Sequence, residues 1–260
     1  VKQCRARGAT HVGLGQYTSI VSDNGLLIDG FGAQLTTGNS LTVGLCLKAL
    51  KKLVAARGQD FSKMRVGVVG VAGNICNVYT QIIADYVGDL TLIHREPYEQ
   101  SPKFQTAVRD ILWNSRIDRD RIRTDSNLEA LIDCDAVVLG TNSTRQLLLP
   151  EHLKQGALVL DISVPSNIHP RVFAERPDVE CVLGGNAKLP LGQHLNTPLF
   201  PMRQGEVFAC SAETITLGLL NYPEHFSIGP LTKEKILRVT RMARDVGIEL
   251  GSIKRVRNDR

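Results

Sequence analysis

The sequence predicts an α/β fold in which a doubly wound parallel sheet is covered by helices on both faces. Three observations support this prediction: short apolar runs recur between residues 65 and 185, helical patterns separate them, and a glycine-containing turn follows the first run. Strands that are apolar along their whole length are buried on both faces, as in parallel sheets with helical crossovers. The middle of the chain is therefore expected to form one such sheet.

The predicted elements alternate along this region. The predicted strands are RVGVVG (65–70), LTLIHR (90–95), a short strand at 122–124, AVVLGT (136–141), ALVLDIS (157–163) and ECVLGG (180–185). The predicted helices run from the first turn to Asp85 and over 101–115, 126–133 and 147–154. Short apolar runs separated by helical patterns are typical of crossover units, so the order predicts a dinucleotide-binding Rossmann domain.

A long helix is predicted before the first strand. Polar residues at Asn39 and Ser40 are typical of a helix start, apolar residues then recur at helical spacing, and Gly58 indicates the end. At the very start, VKQCRARG resembles the last turns of a helix stopped by Gly8. Because the chain also starts without Met, we expect it to be a piece of something longer.

The predicted organisation has three parts. Residues 1–60 form the N-terminal part of a substrate region and the linking helix, residues 61–186 form the NADP-binding Rossmann domain, and residues 187–260 form a C-terminal helical segment. The segments flanking the sheet at both ends are expected to build part of a second domain.

Composition excludes several classes. No apolar run approaches the roughly 20 residues of a membrane span, and no secretory signal is present, so a cytoplasmic protein is expected. The six cysteines never form C-x-x-C, which argues against a metal site and against a disulfide framework. Aromatic residues make up 5% of the chain without basic–aromatic interleaving, so nucleic acid is not an expected partner.

The first strand-to-helix turn indicates a pyrophosphate site. It comprises Gly70, Val71, Ala72, Gly73, Asn74 and Ile75, followed by Cys76. Glycines at the first and fourth positions allow a tight turn and a close approach of backbone amides to phosphate at the start of a helix. Cys76 stands where a third small residue normally packs helix against strand, and we expect it to widen that contact.

Strand ends supply the remaining predicted cofactor contacts. Arg95 follows the second strand, where an arginine accommodates the 2′-phosphate of NADP. Thr141 and Asn142 follow the fourth strand, and Ser163 and Val164 follow the fifth. Because such sheets bind ligands at the carboxyl ends of their strands, NADPH is the predicted cofactor.

Cys210, in VFACSAET, is the candidate nucleophile. It stands at the predicted start of an apolar-periodic helix, where the positive end of the helix dipole favours a thiolate. From the spacing alone, a buried structural cysteine is the better interpretation. Glu213, one turn later, is predicted to cap the helix.

Four motifs and one strand-end arginine together resemble the motifs of a known family. GLGQYTSIV, LTTGNSLT and VGVAGNI, followed by Arg95 and FACSAET, are similar in order and approximate spacing to motifs of the cyanobacterial long-chain acyl-(acyl-carrier-protein) reductases. The similarity runs from about Gly13 to about Leu219. This sequence differs at Cys76, at Ser211, where the family has an aromatic residue, and in a nearly absent N-terminal region.

The resemblance implies a function and roles for particular residues. It implies NADPH-dependent reduction of an acyl thioester, delivered by acyl carrier protein or CoA, to an aldehyde through an acyl group held on Cys210. It also implies that Thr37, Gly38 and Asn39 lie near the nicotinamide or stabilise the oxyanion.

Two alternatives remain open at the level of sequence. One is an NADP-linked dehydrogenase of the shikimate or glutamyl-tRNA reductase type, because the linking helix and the DISVP-like strand end are similar. The other is a non-catalytic nucleotide-binding scaffold, which the imperfect glycine motif favours. A fold alone does not choose among these functions.

Overall fold

A computed structural model describes residues 1–190 and 203–255, and these form two compact units. Residues 1–48 and 185–252 form the first, called here the flanking unit. Residues 49–184 form the second, the sheet unit, to which the chain returns at residue 253. The first structural boundary follows residue 48, whereas the predicted boundary follows residue 60. The second follows residue 184, two residues before the predicted boundary after residue 186.

The described residues form helices and strands with the following bounds. The helices are α1 (Lys2–Ala6), α2 (Tyr17–Val21), α3 (Asn39–Ala56), α4 (Asn74–Ile83), α5 (Pro102–Asn114), α6 (Pro170–Glu175), α7 (Ala209–Leu219) and α8 (Lys233–Asp245). The strands are β1 (His11–Gly13), β2 (Gln34–Thr36), β3 (Arg65–Val69), β4 (Asp89–Ile93), β5 (Ile122–Asp125), β6 (Ala136–Leu139), β7 (Leu158–Asp161), β8 (Glu180–Leu183), β9 (Asn186–Lys188), β10 (Glu206–Phe208), β11 (Glu249–Leu250) and β12 (Lys254–Arg255).

The sheet unit confirms the predicted doubly wound α/β fold. Its strand order is β12-β8-β7-β6-β3-β4-β5, with β12 antiparallel to β8 and the other neighbours parallel. The first strand of this sheet, β3, lies between β4 and β6, so the winding direction reverses beside it. Ligands of open α/β sheets bind at such a reversal, outside the carboxyl ends of the strands.

Burial explains why these runs form the central strands. Every residue of β6 and β7 is buried, and so are the last four residues of β3 and of β4. Such strands can be covered only by helices on both faces. Helices α4 and α5 pack against each other within this unit.

Two predicted helices are short 3₁₀ turns instead. In the predicted helix 147–154, only Pro150–His152 is helical, because Leu149 precedes a proline and adopts extended backbone. In the predicted helix 126–133, only Leu128–Leu131 is helical. A 3₁₀ turn rises about 2.0 Å per residue against 1.5 Å in an α-helix, so it covers more distance in the short connection to β6.

Helix α3 begins and ends where the sequence predicts. It starts at Asn39 and ends at Ala56, and Gly58 follows with a φ of +62°. Its first half belongs to the flanking unit and its second half to the sheet unit. Within the described ranges, no helix has both the length and the apolar character that crossing a bilayer requires.

The flanking unit has its own core. It contains a parallel pair, β1-β2, and an antiparallel sheet in the order β10-β9-β11. Apolar side chains from both chain segments pack together in it: Leu41, Leu45, Ala187, Leu189, Val207, Ala209, Ala212, Leu217, Phe226, Val239, Ala243 and Ile248. Two segments that are distant in sequence therefore depend on each other for burial.

Candidate functional site

Cys210 is the second residue of α7, which starts directly after β10. The backbone N–H of Ala209 donates to the carbonyl of Gly185 at 2.6 Å, and β10 pairs with β9 through Phe208 and Asn186. Ala209 and Ala212 are buried, whereas the Cys210 side chain is partly exposed. The small sheet thus fixes the start of α7 and leaves its cysteine accessible.

Two glycines from the N-terminal segment lie against Cys210. A Cβ atom at Gly38 would overlap the Cα and Cβ atoms of Cys210 and lie 2.5 Å from its carbonyl oxygen. Gly38 also has a φ of +74°, which side-chain-bearing residues rarely adopt. A Cβ at Gly15 would lie 3.6 Å from the Cys210 sulfur. The motifs GLGQYTSIV and LTTGNSLT, which carry Gly15 and Gly38, therefore lie against the motif FACSAET in the flanking unit.

Residues next to Gly38 hold this turn in place. The Gly38 N–H donates to Thr36 Oγ1 at 3.1 Å, and the Thr37 hydroxyl donates to the carbonyl of Ser227 at 2.7 Å. Asn39 is the first residue of α3 and is buried. Thr37, Gly38 and Asn39 are therefore brought together with Cys210 inside one unit.

Glu213 caps a different helix from the one predicted. Its carboxylate is fully buried and accepts hydrogen bonds from Thr36 Oγ1 at 2.5 Å, Ser227 Oγ at 2.6 Å and the Leu41 N–H at 2.7 Å. Leu41 lies in the first turn of α3, so Glu213 caps α3 rather than its own helix, α7. Burial raises the pKa of this carboxyl group, and the donated hydrogen bonds oppose that rise.

The thiol of Cys210 does not have the lowered pKa expected from the helix dipole. Burial raises its pKa, the hydrogen bonds from Ser211 oppose the rise, and the Glu213 carboxylate adds to it. The dipole of α7 favours the thiolate, but desolvation of the thiolate by burial outweighs the effect of the dipole. Cys210 therefore rests as a thiol at neutral pH.

We expect Cys210 to be alkylated faster as the pH rises through the alkaline range. Iodoacetamide reacts with the thiolate, whose fraction is small until the pH approaches a pKa above the ordinary value of about 8.5. The measurement is the rate of Cys210 modification against pH, followed by peptide mass spectrometry. A half-maximal rate at or below neutral pH would contradict the raised pKa.

The glycine turn of the sheet unit lies where the winding direction reverses. Gly70 has a φ of +90°, and a Cβ there would lie 2.7 Å from the carbonyl oxygen of Gly140 at the end of β6. The Gly73 N–H donates to the Gly70 carbonyl at 2.8 Å and closes the turn. Gly73 is also the N-cap of α4 and offers no side chain to its first amides. The remaining members, Val71, Ala72, Asn74 and Ile75, complete the turn and open α4.

Cys76 does not widen the helix–strand contact. A Cβ at Gly140 would overlap the Cys76 sulfur, which lies 3.5 Å from the Gly140 carbonyl oxygen and 3.7 Å from that of Val69. The missing side chain at Gly140 thus provides the space that the larger residue occupies. Burial raises the pKa of the Cys76 thiol to about 12, so this cysteine is unreactive.

A buried polar network joins the ends of β6 and β7. The Thr141 N–H donates to Ser163 Oγ at 3.1 Å, and the Thr141 hydroxyl donates to Asn167 at 2.6 Å. Asp161 accepts hydrogen bonds from the backbone N–H groups of Ser163 and Asn167 and from the Ser166 hydroxyl. The network orders the loops that carry the predicted cofactor contacts. Asp161 and Asn167 lie outside the set of predicted site residues, although an acidic residue at the end of an apolar strand is a usable signal.

The other predicted contacts lie on the surface at these strand ends. Asn142 and Val164 are exposed, and Arg95 follows β4 with an 86% exposed side chain whose Nε lies 3.6 Å from Glu96. An exposed pair of this kind is weak. The contact of Arg95 with a 2′-phosphate therefore stays a prediction, and this weak pair does not oppose it.

A comparison with curated proteins finds a distant relative. The chain is 27% identical over 247 residues to the protein named aminotransferase PigE from Serratia sp. (strain ATCC 39006). The match covers 92% of this chain and 28% of that protein, so the chain spans less than a third of the relative's length. No family model matches the sequence.

Solved structures resemble parts of the chain only loosely. Shikimate 5-dehydrogenase from Listeria monocytogenes, in complex with shikimate and NAD, has a TM-score of 0.41 and 14% identity, covering 55% of this chain and 52% of that one. Glutamyl-tRNA reductase from Methanopyrus kandleri has a TM-score of 0.41 and 19% identity, covering 52% of this chain and 34% of that one.

Proposed function

We propose that this protein reduces an acyl thioester to an aldehyde with NADPH, through an acyl group held on Cys210. The observation that supports the proposal best is the meeting of three motif regions at one partly exposed cysteine. Burial raises the pKa values of three other cysteines, Cys76, Cys134 and Cys181, to about 12, 11 and 12, so these thiols are poor alternative nucleophiles.

The covalent step uses the chain's own sulfur. Once Cys210 has lost its proton, the sulfur attacks the thioester carbonyl carbon, a new C–S bond to Cys210 forms, and the C–S bond to the carrier breaks. The departing carrier thiolate takes up a proton. Because one thioester replaces another, this step requires no oxidant or reductant.

The sheet unit offers a fitting cofactor site. Gly70 provides a turn that a side chain would block, and Gly73 leaves the first amides of α4 uncapped, as a pyrophosphate requires. In the proposal, Gly70 to Ile75 bind the pyrophosphate, and Thr141, Asn142, Ser163 and Val164 border the remainder of the nucleotide. NADPH held by these residues would supply a hydride, the reducing equivalent needed to bring the acyl group to the aldehyde level and to free the Cys210 sulfur.

The likeness to an aminotransferase-named protein is compatible with this reaction. Aminotransferases act on carbonyl compounds, and an aldehyde released by a reductase is such a compound. We propose that acyl carrier protein or CoA delivers the acyl group, and that the reaction takes place in the cytoplasm, where thiols stay reduced.

Intact-protein mass spectrometry tests the proposal. The protein is incubated with palmitoyl-CoA, with or without NADPH, and then peptide-mapped. We expect a palmitoyl adduct on Cys210 without NADPH, its loss when NADPH is added, and the appearance of the aldehyde. If the folded protein binds NADPH but acquires no adduct, the dehydrogenase and scaffold interpretations replace this one.

A second test concerns the choice of nucleotide. Arg95→Ala should weaken NADPH binding about tenfold or more and leave NADH binding nearly unchanged, because only NADPH carries the 2′-phosphate. Dissociation constants for both nucleotides measure this effect. Arg123→Ala, which removes another exposed arginine of the sheet unit, is the control. An equal loss of affinity for NADPH and NADH would contradict the predicted contact between Arg95 and the 2′-phosphate.

A further inference from the structure

We propose that Glu213 is a positioning residue for the reaction at Cys210, because its carboxylate holds the turn from Thr36 to Ser40 against the backbone of Cys210. This inference rests on the proposed function. Glu213 does not touch the expected position of the reacting atoms; it acts through the turn that encloses them.

A chain of hydrogen bonds carries the effect from Glu213 to the cysteine. Thr36 Oγ1 accepts the N–H of Gly38 and donates its own hydrogen to Glu213 Oε1. Gly38 in turn lies against the Cα and Cβ atoms of Cys210. Displacing the Thr36 hydroxyl therefore displaces the glycine that packs on the cysteine.

The second carboxylate oxygen fixes the other side of the same turn. Glu213 Oε2 accepts the N–H of Leu41, while Ser227 donates to Oε1 and also lies 2.6 Å from Ser40 Oγ. Every group that bonds to the carboxylate is a donor. This set suits an ionised carboxylate, which only accepts hydrogen bonds, and the Leu41 N–H in it can only donate.

A buried carboxylate is costly unless its hydrogen bonds are complete, so its presence here requires a reason. A carboxylate also disfavours the nearby thiolate. Cys210 is the titratable group that faces Glu213 from α7, whereas β2, α3 and the Phe226–Ser227 segment present hydroxyl and amide groups to it. Glu213 thus makes ionisation of Cys210 harder and contributes to the reaction by holding the turn.

The test compares Glu213→Gln with Glu206→Gln. Glu206 is a matched control in the same unit, because its carboxylate accepts two hydrogen bonds from Ser252 and lies outside the cysteine site. Three quantities are measured on the full chain: the melting temperature, the pH profile of Cys210 alkylation, and the single-turnover rate of acylation by palmitoyl-CoA.

We expect two opposite changes in Glu213→Gln. Removing the negative charge lowers the pKa of the Cys210 thiol, so alkylation begins at a lower pH. Acylation nevertheless slows by roughly tenfold to 100-fold, because the turn from Thr36 to Ser40 is no longer held in position against Cys210. A purely structural role would lower the melting temperature without producing this opposition. Glu206→Gln should change neither rate.

Several outcomes would overturn the inference. If Glu213→Gln acylates at the rate of the unmodified protein, or if its alkylation profile does not shift, Glu213 does not hold the turn as an ionised group. If the unmodified protein itself acquires no acyl group, the proposed function fails first, independently of Glu213.

A second pair of variants is needed if Glu213→Gln does not fold. Thr36→Val removes only the link between Glu213 and Gly38, whereas Thr36→Ser keeps the hydroxyl. We expect slower acylation in Thr36→Val and recovery in Thr36→Ser. When all variants fold, the double variant with Glu213→Gln should lose less than the sum of the two single losses, because both interrupt one chain of contacts. Unchanged acylation in Thr36→Val would overturn the inference.

Discussion

Cys210→Ala is expected to bind NADPH as tightly as the unmodified protein, yet to acquire no acyl group and to release no aldehyde. The variant removes the sulfur that would form the covalent bond, whereas the predicted contacts to the pyrophosphate and to the 2′-phosphate lie in the sheet unit. We expect a loss of at least about a thousandfold in aldehyde formation, the scale seen when an enzyme loses its nucleophile. Intact-protein mass measures acylation, an aldehyde assay measures product release, and a dissociation constant measures NADPH binding.

Cys4→Ala is the appropriate control for Cys210→Ala. Cys4 is the exposed cysteine of the flanking unit, and thioesters acylate exposed thiols without an enzyme's help. The control should retain full activity. Aldehyde formation that persists in Cys210→Ala would show that the hydride reaches a substrate never bound to Cys210.

Gly38→Ala is expected to have the second largest effect. The new Cβ would overlap the backbone of Cys210, and the residue would have to keep a φ of +74°. The left-handed conformation alone costs roughly 1–2 kcal/mol, and overpacking of a filled site about 1–3 kcal/mol. We expect a melting temperature several degrees lower and an acylation rate reduced by roughly 100-fold, since the cysteine must move.

Gly218→Ala separates this effect from a general response to glycine replacement. Gly218 lies within α7, and a Cβ there would meet no atom within 4 Å. Alanine favours a helix over glycine by roughly 0.5–1 kcal/mol, so this variant should melt slightly higher and keep its activity. If Gly38→Ala behaves in the same way, the packing of Gly38 on Cys210 has no role in the reaction.

Local patterns were sufficient to predict the sheet and the glycine turn that follows its first strand. Apolar runs gave β3, β4, β6 and β7, and Gly58 marked the end of α3, because these signals lie within a few neighbouring residues. The turn from Gly70 to Gly73 could likewise be read from spacing. The two helices that proved to be 3₁₀ turns show where a helical pattern is overridden by a proline or by the length of a connection.

The surroundings of Cys210 were beyond the reach of local patterns. Thr36 lies 177 positions before Glu213, so no periodicity relates the two residues. The raised pKa of Cys210 likewise depends on burial by segments that are remote in sequence. One signal was available: Glu213 lies on the helical face shared by Ala209, Ala212 and Thr216, where a carboxylate would be buried.

The division of the flanking unit between two chain segments has a consequence for biosynthesis. At translation rates of about 5–20 residues per second, α7 leaves the ribosome roughly 10–35 s after Thr36. During that interval the sheet unit can fold, whereas the segment before it has no partner for its apolar side chains. The Cys210 thiol therefore enters its final environment after the sheet unit is made, so a nascent chain can fold its sheet unit before the candidate nucleophile is in place.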